Sequence, residues 1–226
     1  MSAIEHVVIA AAGLGSRLGH GIPKCLVEVA GRTLIEWQLD LFRHIQDVRV
    51  VVGYMEQAVV DAVRRVNDSV IFVRNPRFRE TTTQDSLVLG AAGIAERALF
   101  LDADIVFDPA SMASFLDYAA RRPLTIGITE AKTEFAVFAR TAASFADELQ
   151  IIDFSTDRQP FEWANVVCAV PGTFAPGQGA VFQTLQRLLP APARVLMSYE
   201  IDTEADLAAA RRFAEQISVT RRRPAT

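Results

Sequence analysis

The chain has 226 residues, 23 Lys and Arg against 27 Asp and Glu for a net charge of −4, 50% hydrophobic and 22% charged residues, and two cysteines. These counts exclude intrinsic disorder, a collagen-like repeat and a disulfide scaffold, and they suit one globular core. The mild acidity argues against a general hold on nucleic acid, because the one dense basic cluster, Arg221 to Arg223, falls in an expected solvated tail over 219–226.

In chain order, His6–Ala10 reads as a first strand and Gly13–Lys24 as a loop. Thr33 and Glu36 form a capping box for a helix whose buried stripe is Leu34, Ile35, Leu39, Leu41, Phe42 and Ile45. Val48–Val52 is a second strand, Ala58 to Val66 carries helical spacing, and Val70–Val73 is a third strand broken by Asn75-Pro76. After a long loop, a small-residue helix over Asp85–Ala95 leads into a strand, Ala98–Leu101, that ends on Asp102-Ala103-Asp104. The second half reads differently. Leu124–Ile128, Glu134–Ala139, Leu149–Phe154 and Trp163–Val170 are strands with few helices between them, so antiparallel additions to the sheet are expected. A helix over Ala180–Leu189, a strand over Val195–Ile201 and a last helix over Glu204–Gln216 complete one α/β domain spanning 1–218.

Glu5 precedes the apolar start with no basic region, and no apolar run reaches the ~18 residues of a membrane span, so a cytoplasmic protein without membrane insertion is expected. Cys25 and Cys168 lack a CxxC or a histidine at ligand spacing, which leaves them as free thiols, buried or lining a site.

The stretch Ala11-Ala12-Gly13-Leu14-Gly15-Ser16-Arg17-Leu18, followed by Pro23-Lys24-Cys25-Leu26, carries the chemistry. Two glycines straight after a strand open backbone N–H groups to an anion, and Arg17 and Lys24 bring two cations to the same loop. A dinucleotide fold would carry GxGxxG, and here the third glycine of that spacing is missing, with Arg17 beside its place; a Walker loop would need GKS or GKT. Asp102 and Asp104 lie at the C-terminal end of a strand, where ligands of α/β sheets bind. Glu200-Ile201-Asp202 repeats the spacing, with Asp202 or Thr203 as an alternative N-cap of the last helix.

With nine motif positions in place, the chain resembles the sugar-phosphate and alcohol-phosphate nucleotidyltransferases, whose signature is AAGxGxRL with PKxL downstream. The Asn75–Leu87 stretch and the C-terminal YEIDTEADL look most like the cytidylyltransferases that act on phosphocholine and related small phosphates. The resemblance implies a Rossmann-like three-layer sandwich with a mixed, mostly parallel sheet. It implies transfer of CMP from CTP to a small phosphorylated acceptor, Mg²⁺ as cofactor and, as a further partner, a second copy in a homodimer. It places Arg17 on the outgoing pyrophosphate and Lys24 on the α-phosphate and attacking phosphate, and it makes Asp104 and Asp202 the metal ligands. Ala11, Ala12, Gly13, Gly15, Ser16, Arg17, Thr83, Gln84 and Ser86 would hold the nucleotide. For the acceptor, Asp153, Glu162, Trp163 and Tyr199 are candidates for a cage around a cationic head group. A UTP- or other NTP-dependent sugar 1-phosphate enzyme, a metal-dependent glycosyltransferase and a non-catalytic nucleotide-binding module remain as alternatives.

Overall fold

The computed structural model describes residues 3–15, 21–134, 136–144 and 148–222, with the side chains of 219–222 excepted. Ser16, Arg17 and His20 of the glycine-rich loop lie outside the described residues.

The first half runs β1 (His6–Ala10), β2 (Glu28–Val29), β3 (Arg32–Thr33), α1 (Leu34–Leu41), β4 (Asp47–Val52), α2 (Glu56–Arg64), β5 (Ile71–Arg74), α3 (Thr83–Gly90), β6 (Ala98–Asp102), β7 (Ile105–Phe107) and α4 (Pro109–Ala119). The second half runs β8 (Thr125–Glu130), β9 (Phe138–Ala143), β10 (Leu149–Ser155), β11 (Phe161–Ala169), α5 (Val181–Gln186), β12 (Ala191–Val195), β13 (Ser198–Glu200) and α6 (Glu204–Arg222). Helix α6 therefore continues past residue 219, where the sequence suggested a solvated tail.

Nine strands form the main sheet in the order β5-β4-β1-β6-β11-β8-β12-β10-β9, while β13 pairs with β7 and β2 with β3 in two small ribbons. Strand alternation sorts the apolar residues to the two faces. Val7 and Ile9 of β1 pack with Ile35 and Leu39 of α1, Val59 and Val63 of α2, and Phe115 of α4. Val8 points the other way, into a cluster with Leu87 of α3 and with Val181 and Leu185 of α5. A third cluster seats Leu207, Phe213 and Ile217 of α6 on Leu34 and Trp37 of α1 and on Val106 and Ile201.

The expectation of a mostly parallel sheet is corrected. Four pairings are parallel, β1–β4, β1–β6, β4–β5 and β8–β12, and five are antiparallel, all involving β10 or β11. Strand β11 enters between β6 and β8 in the opposite sense, and a β9–β10 antiparallel pair closes the far edge.

Helix α4 was not legible in the sequence reading. Asp108 caps it by accepting from Ser111 N–H at 2.8 Å, Pro109 opens its first turn, and Met112, Phe115 and Ala119 are buried at helical spacing. The single strand expected over Val195–Ile201 is two strands, β12 and β13. Leu196 N–H still donates to Ile128 O at 2.7 Å, but the Met197 carbonyl then accepts from Asp108 N–H at 2.8 Å, and the chain crosses from the large sheet to β7. That crossing brings Glu200 and Asp202 beside Asp104.

Candidate active site

A cavity of about 290 Å³ opens at the C-terminal ends of β1 and β6, where the loops of an α/β sheet gather. Among the expected nucleotide residues, Ala11, Ala12, Gly13, Gly15, Thr83 and Ser86 line it, together with Lys24, Cys25, Asp102 and Asp104. Gln84 does not. It is fully buried, donating to Ala175 O at 2.8 Å and accepting from Thr184 Oγ1 at 2.8 Å, so it ties α3 to α5.

Part of the Ala11 and Ala12 backbone, expected to hold the nucleotide, is bonded to the sheet end. Ala11 N–H donates to Val51 O at 2.9 Å and Ala12 O accepts from Tyr54 N–H at 3.1 Å. On the opposite wall, buried Asn75 donates to Thr81 Oγ1 at 2.9 Å and Ser86 Oγ at 3.0 Å, and Thr82 with Asp85 forms the capping box that starts α3. Asn75 marked only a strand end in the sequence, yet it orders the polar wall of the cavity.

Lys24 begins a 3₁₀ turn after Pro23, and Gly15 makes room for its stem. Gly15 has φ +62°, and a Cβ there would lie 2.9 Å from Lys24 Cγ, so both conformation and space require glycine. The Lys24 ammonium donates to Asp104 Oδ2 at 3.1 Å and more tightly to Asp202 Oδ1. Burial works against the charged ammonium, but Asp104 and Asp202 outweigh it and raise its pKa above the ordinary lysine value.

Asp202 faces Lys24, and Thr203 caps α6. Thr203 Oγ1 accepts from Asp206 N–H at 3.2 Å, and Asp206 Oδ2 accepts from Thr203 N–H at 2.8 Å. The cap of this stretch thus falls on Thr203, and the Asp202 carboxylate is left facing Lys24.

Oxygens of Asp104, Glu200 and Asp202 lie within 4.8 Å of one another. Glu200 joins the pair that the sequence reading selected. A register irregularity between Trp163 and Val167 and a φ of +49° at Asn165 bring Asn165 Nδ2 to Glu200 Oε2 at 2.7 Å. From below, fully buried Gln38 of α1 donates to the carbonyls of Asp102 at 2.7 Å and Ile105 at 3.0 Å, bracketing Asp104.

Three hard oxygen donors suit Mg²⁺, and buried Asp104 Oδ1 has no hydrogen-bond partner among the described residues. With Asp102 included, four carboxylates surround one ammonium. Burial, then Asp104, pushes the Asp102 carboxyl well above the usual range; burial, then Asp104 and Asp202, does the same to Glu200. The donor set therefore fits a divalent cation in both chemistry and charge. Cys25, by contrast, is pushed up to about 12 by burial and then Asp104, so it is a thiol and no nucleophile.

A pH dependence follows from the raised carboxyls. Asp102 and Glu200 bind protons more tightly in the folded than in the unfolded chain, so their contribution to stability is complete below the ordinary carboxylate range. It is lost as the pH rises through their elevated pKa values. In chelator, Tm is expected to fall as pH rises through this window, and millimolar Mg²⁺ to flatten the slope. A metal-free Tm that rises instead would contradict the charge balance.

The four acceptor candidates do not converge. Glu162 and Trp163 are adjacent in β11 and point to opposite faces. Glu162 is buried and accepts at Oε2 from Lys132 N–H at 3.2 Å, Thr133 N–H at 3.1 Å and Thr133 Oγ1 at 2.8 Å. Trp163 packs edge-on against Phe154, and Asp153 accepts from Gln186 Nε2 at 3.0 Å. Tyr199 leans on Phe213 of α6, and its ring carries the Lys132 ammonium 4.9 Å from its centre.

Comparison with known proteins agrees with this geometry: residues 7–169 match the family described as the MobA-like NTP transferase domain. The chain belongs to that family. The nucleotidyltransferase resemblance read from AAGxGxRL and PKxL holds at this level. A 2-C-methyl-D-erythritol 4-phosphate cytidylyltransferase of Parasynechococcus marenigrum is 35% identical over 97 residues, 41% of this chain and 41% of that protein. One from Thermus thermophilus is 54% identical over 44 residues, 20% of each. The matches thus span less than half the length of these curated relatives. Among solved structures, the inositol-1-phosphate CTP transferase of T. maritima superposes with TM-score 0.74 at 16% identity, covering 100% of this chain and 99% of that one. The CTP:phosphocholine cytidylyltransferase LicC of Streptococcus pneumoniae gives 0.69 at 18% identity over 94% and 100%. These likenesses show a shared nucleotide-diphospho-sugar transferase-like α/β fold with a mixed sheet. Among the described residues, no helix is long and apolar enough to cross a membrane.

Proposed function

We propose that this MobA-like domain transfers CMP from CTP to the phosphate of a small phosphorylated alcohol, with Mg²⁺, releasing pyrophosphate. The observation that carries the reading is the placement of Lys24 between the glycine-lined cavity and the carboxylates of Asp104 and Asp202. An acceptor phosphate oxygen forms a bond to the α-phosphorus of CTP, the bond from that phosphorus to the bridging oxygen breaks, and pyrophosphate departs with the electron pair. The attacking group is already an anion, so the site needs charge neutralisation and alignment more than a general base.

Each part of the chain has a task in that step. Gly13 and Gly15 let the triphosphate approach the backbone, and Lys24 neutralises charge around the α-phosphate. Arg17 would hold the departing pyrophosphate. The wall formed by Thr83, Ser86 and the Asn75 network would face the nucleoside. Asp104, Glu200 and Asp202 would hold Mg²⁺, which when bound supplies charge neutralisation to the triphosphate. The preference for CTP is supported by the names of the relatives and of two structural neighbours. Pyrophosphate release measured with CTP, UTP, GTP and ATP against a panel of acceptor phosphates is expected to be fastest with CTP. A faster rate with another nucleotide at equal concentration overturns the base assignment, and release with none overturns the enzyme.

A further inference from the structure

Three non-glycine residues among those described have positive φ. Ala30 lies in the turn between β2 and β3 and Met55 precedes α2, but Asn165, at φ +49°, lies inside strand β11. Holding a side chain in this sparsely populated region costs energy that the surroundings must offset, and such residues gather at functional sites. Asn165 is next to Val166, which pairs with Leu101, so the neighbouring strand is the one that ends on Asp102. The register of β11 on β8 slips between Trp163 and Val167, around Asn165, and a slip of this kind re-aims a side chain. Asn165 Nδ2 donates to Glu200 Oε2 at 2.7 Å. Glu200 is placed by the pairing of β13 with β7, opposite Ile105, and it gathers with Asp104 and Asp202.

The three carboxylates do not have the same partners. Lys24 pairs with Asp104 and Asp202, whereas Glu200 has no cation of the protein within ion-pair distance among the described residues. Its donor is the amide of Asn165, which fixes the carboxylate without adding a positive charge. A lysine or arginine in that place would compete with a divalent cation for the carboxylate; an amide leaves it the full anionic charge. We propose that Asn165 is a positioning residue of the cation site: its left-handed backbone and its amide hold Glu200 where that carboxylate completes the donor set with Asp104 and Asp202. This rests on the Mg²⁺ site of the proposed function and deepens it, adding a residue that acts through a ligand.

The test is thermal melting of the full chain over a Mg²⁺ titration, without nucleotide. Asn165→Gly keeps the backbone conformation, which glycine adopts readily, and deletes the amide. Its apparent Mg²⁺ affinity should fall about tenfold or more, the usual scale for losing a group that orients a metal ligand. Asn165→Ala, at a φ that Ala30 already adopts in this chain, should show the same loss, and it reads the same quantity should the glycine variant not fold. A merely structural asparagine would lower the Tm equally with and without the ion and leave the Mg²⁺-induced shift unchanged. In a Glu200→Gln background, Asn165→Gly should cost no further Mg²⁺ affinity, because the carboxylate it positions is gone. Unchanged Mg²⁺ affinity in either single variant, or an undiminished loss in the Glu200→Gln background, overturns the role of Asn165 and leaves the cation site standing. A wild type with no Mg²⁺-induced shift overturns both, while pyrophosphate release with CTP tests the transfer reading on its own.

Discussion

Lys24→Ala is expected to lower kcat by at least about a hundredfold, the scale set by removing one preorganised electrostatic contact from a reacting centre. The ammonium sits where the glycine-lined cavity meets the carboxylates, bonded to Asp104 and Asp202, and no second lysine lines that cavity among the described residues. Its loss acts twice. The reacting phosphates lose a cation that counts most as charge moves, and four neighbouring carboxylates lose the positive charge that partly balanced them. The variant should therefore also melt earlier in chelator and recover in Mg²⁺, which separates a catalytic deficit from a folding one. Steady-state pyrophosphate release with saturating Mg²⁺ is the measurement, and turnover at the wild-type rate would sink the role assigned to Lys24.

Asp104→Asn and Asp202→Asn should each remove Mg²⁺-dependent turnover without unfolding the chain. Both substitutions keep the side-chain shape and delete one hard anionic donor from a set of three. In the metal-free protein they also relieve the repulsion that raises the Asp102 and Glu200 carboxyls, so Tm in chelator should hold or rise. Thermal melting over a Mg²⁺ titration reads this directly: the wild type gains stability from the ion by mass action, and the two variants should not. An intact Mg²⁺-induced shift together with intact turnover in either variant would exclude that residue as a ligand. Because Thr203 and Asp206 make the cap of α6, loss of activity in Asp202→Asn would not be explained by a frayed helix.

What could be read from the sequence was what is local. The glycine loop, the capping box of Thr33 and Glu36 and the strand ending on Asp102 each announce themselves within a few residues, and the structure has the capping box and the strand. Helix α4 escaped because its apolar positions, Met112, Phe115 and Ala119, are diluted by Ala and Ser, and because its cap, Asp108, follows closely on a more eye-catching pair of aspartates. The opposed directions of Glu162 and Trp163 were available from strand alternation alone, and composition drew attention away from it. Other features had no local signature. Glu200 joins Asp104 and Asp202 only because β13 pairs with β7, and a lysine in a turn such as Lys132 announces nothing until Tyr199 arrives beside it from 67 positions further along.

The ion pair between Lys24 and Asp202 joins residues 178 positions apart, one in the loop after the first strand and one just before the last helix. Closing so long a loop has an entropic cost that only the rest of the packed structure offsets. The cluster of Asp104, Glu200 and Asp202 is therefore a product of tertiary structure: it has no complete donor set until β13 has docked on β7 and α6 has covered α1. A chain emerging from synthesis carries the whole glycine loop and Asp104 long before it carries Glu200 and Asp202. A cation that bound there would thereby stabilise the finished fold over every arrangement in which Lys24 and Asp202 have not met.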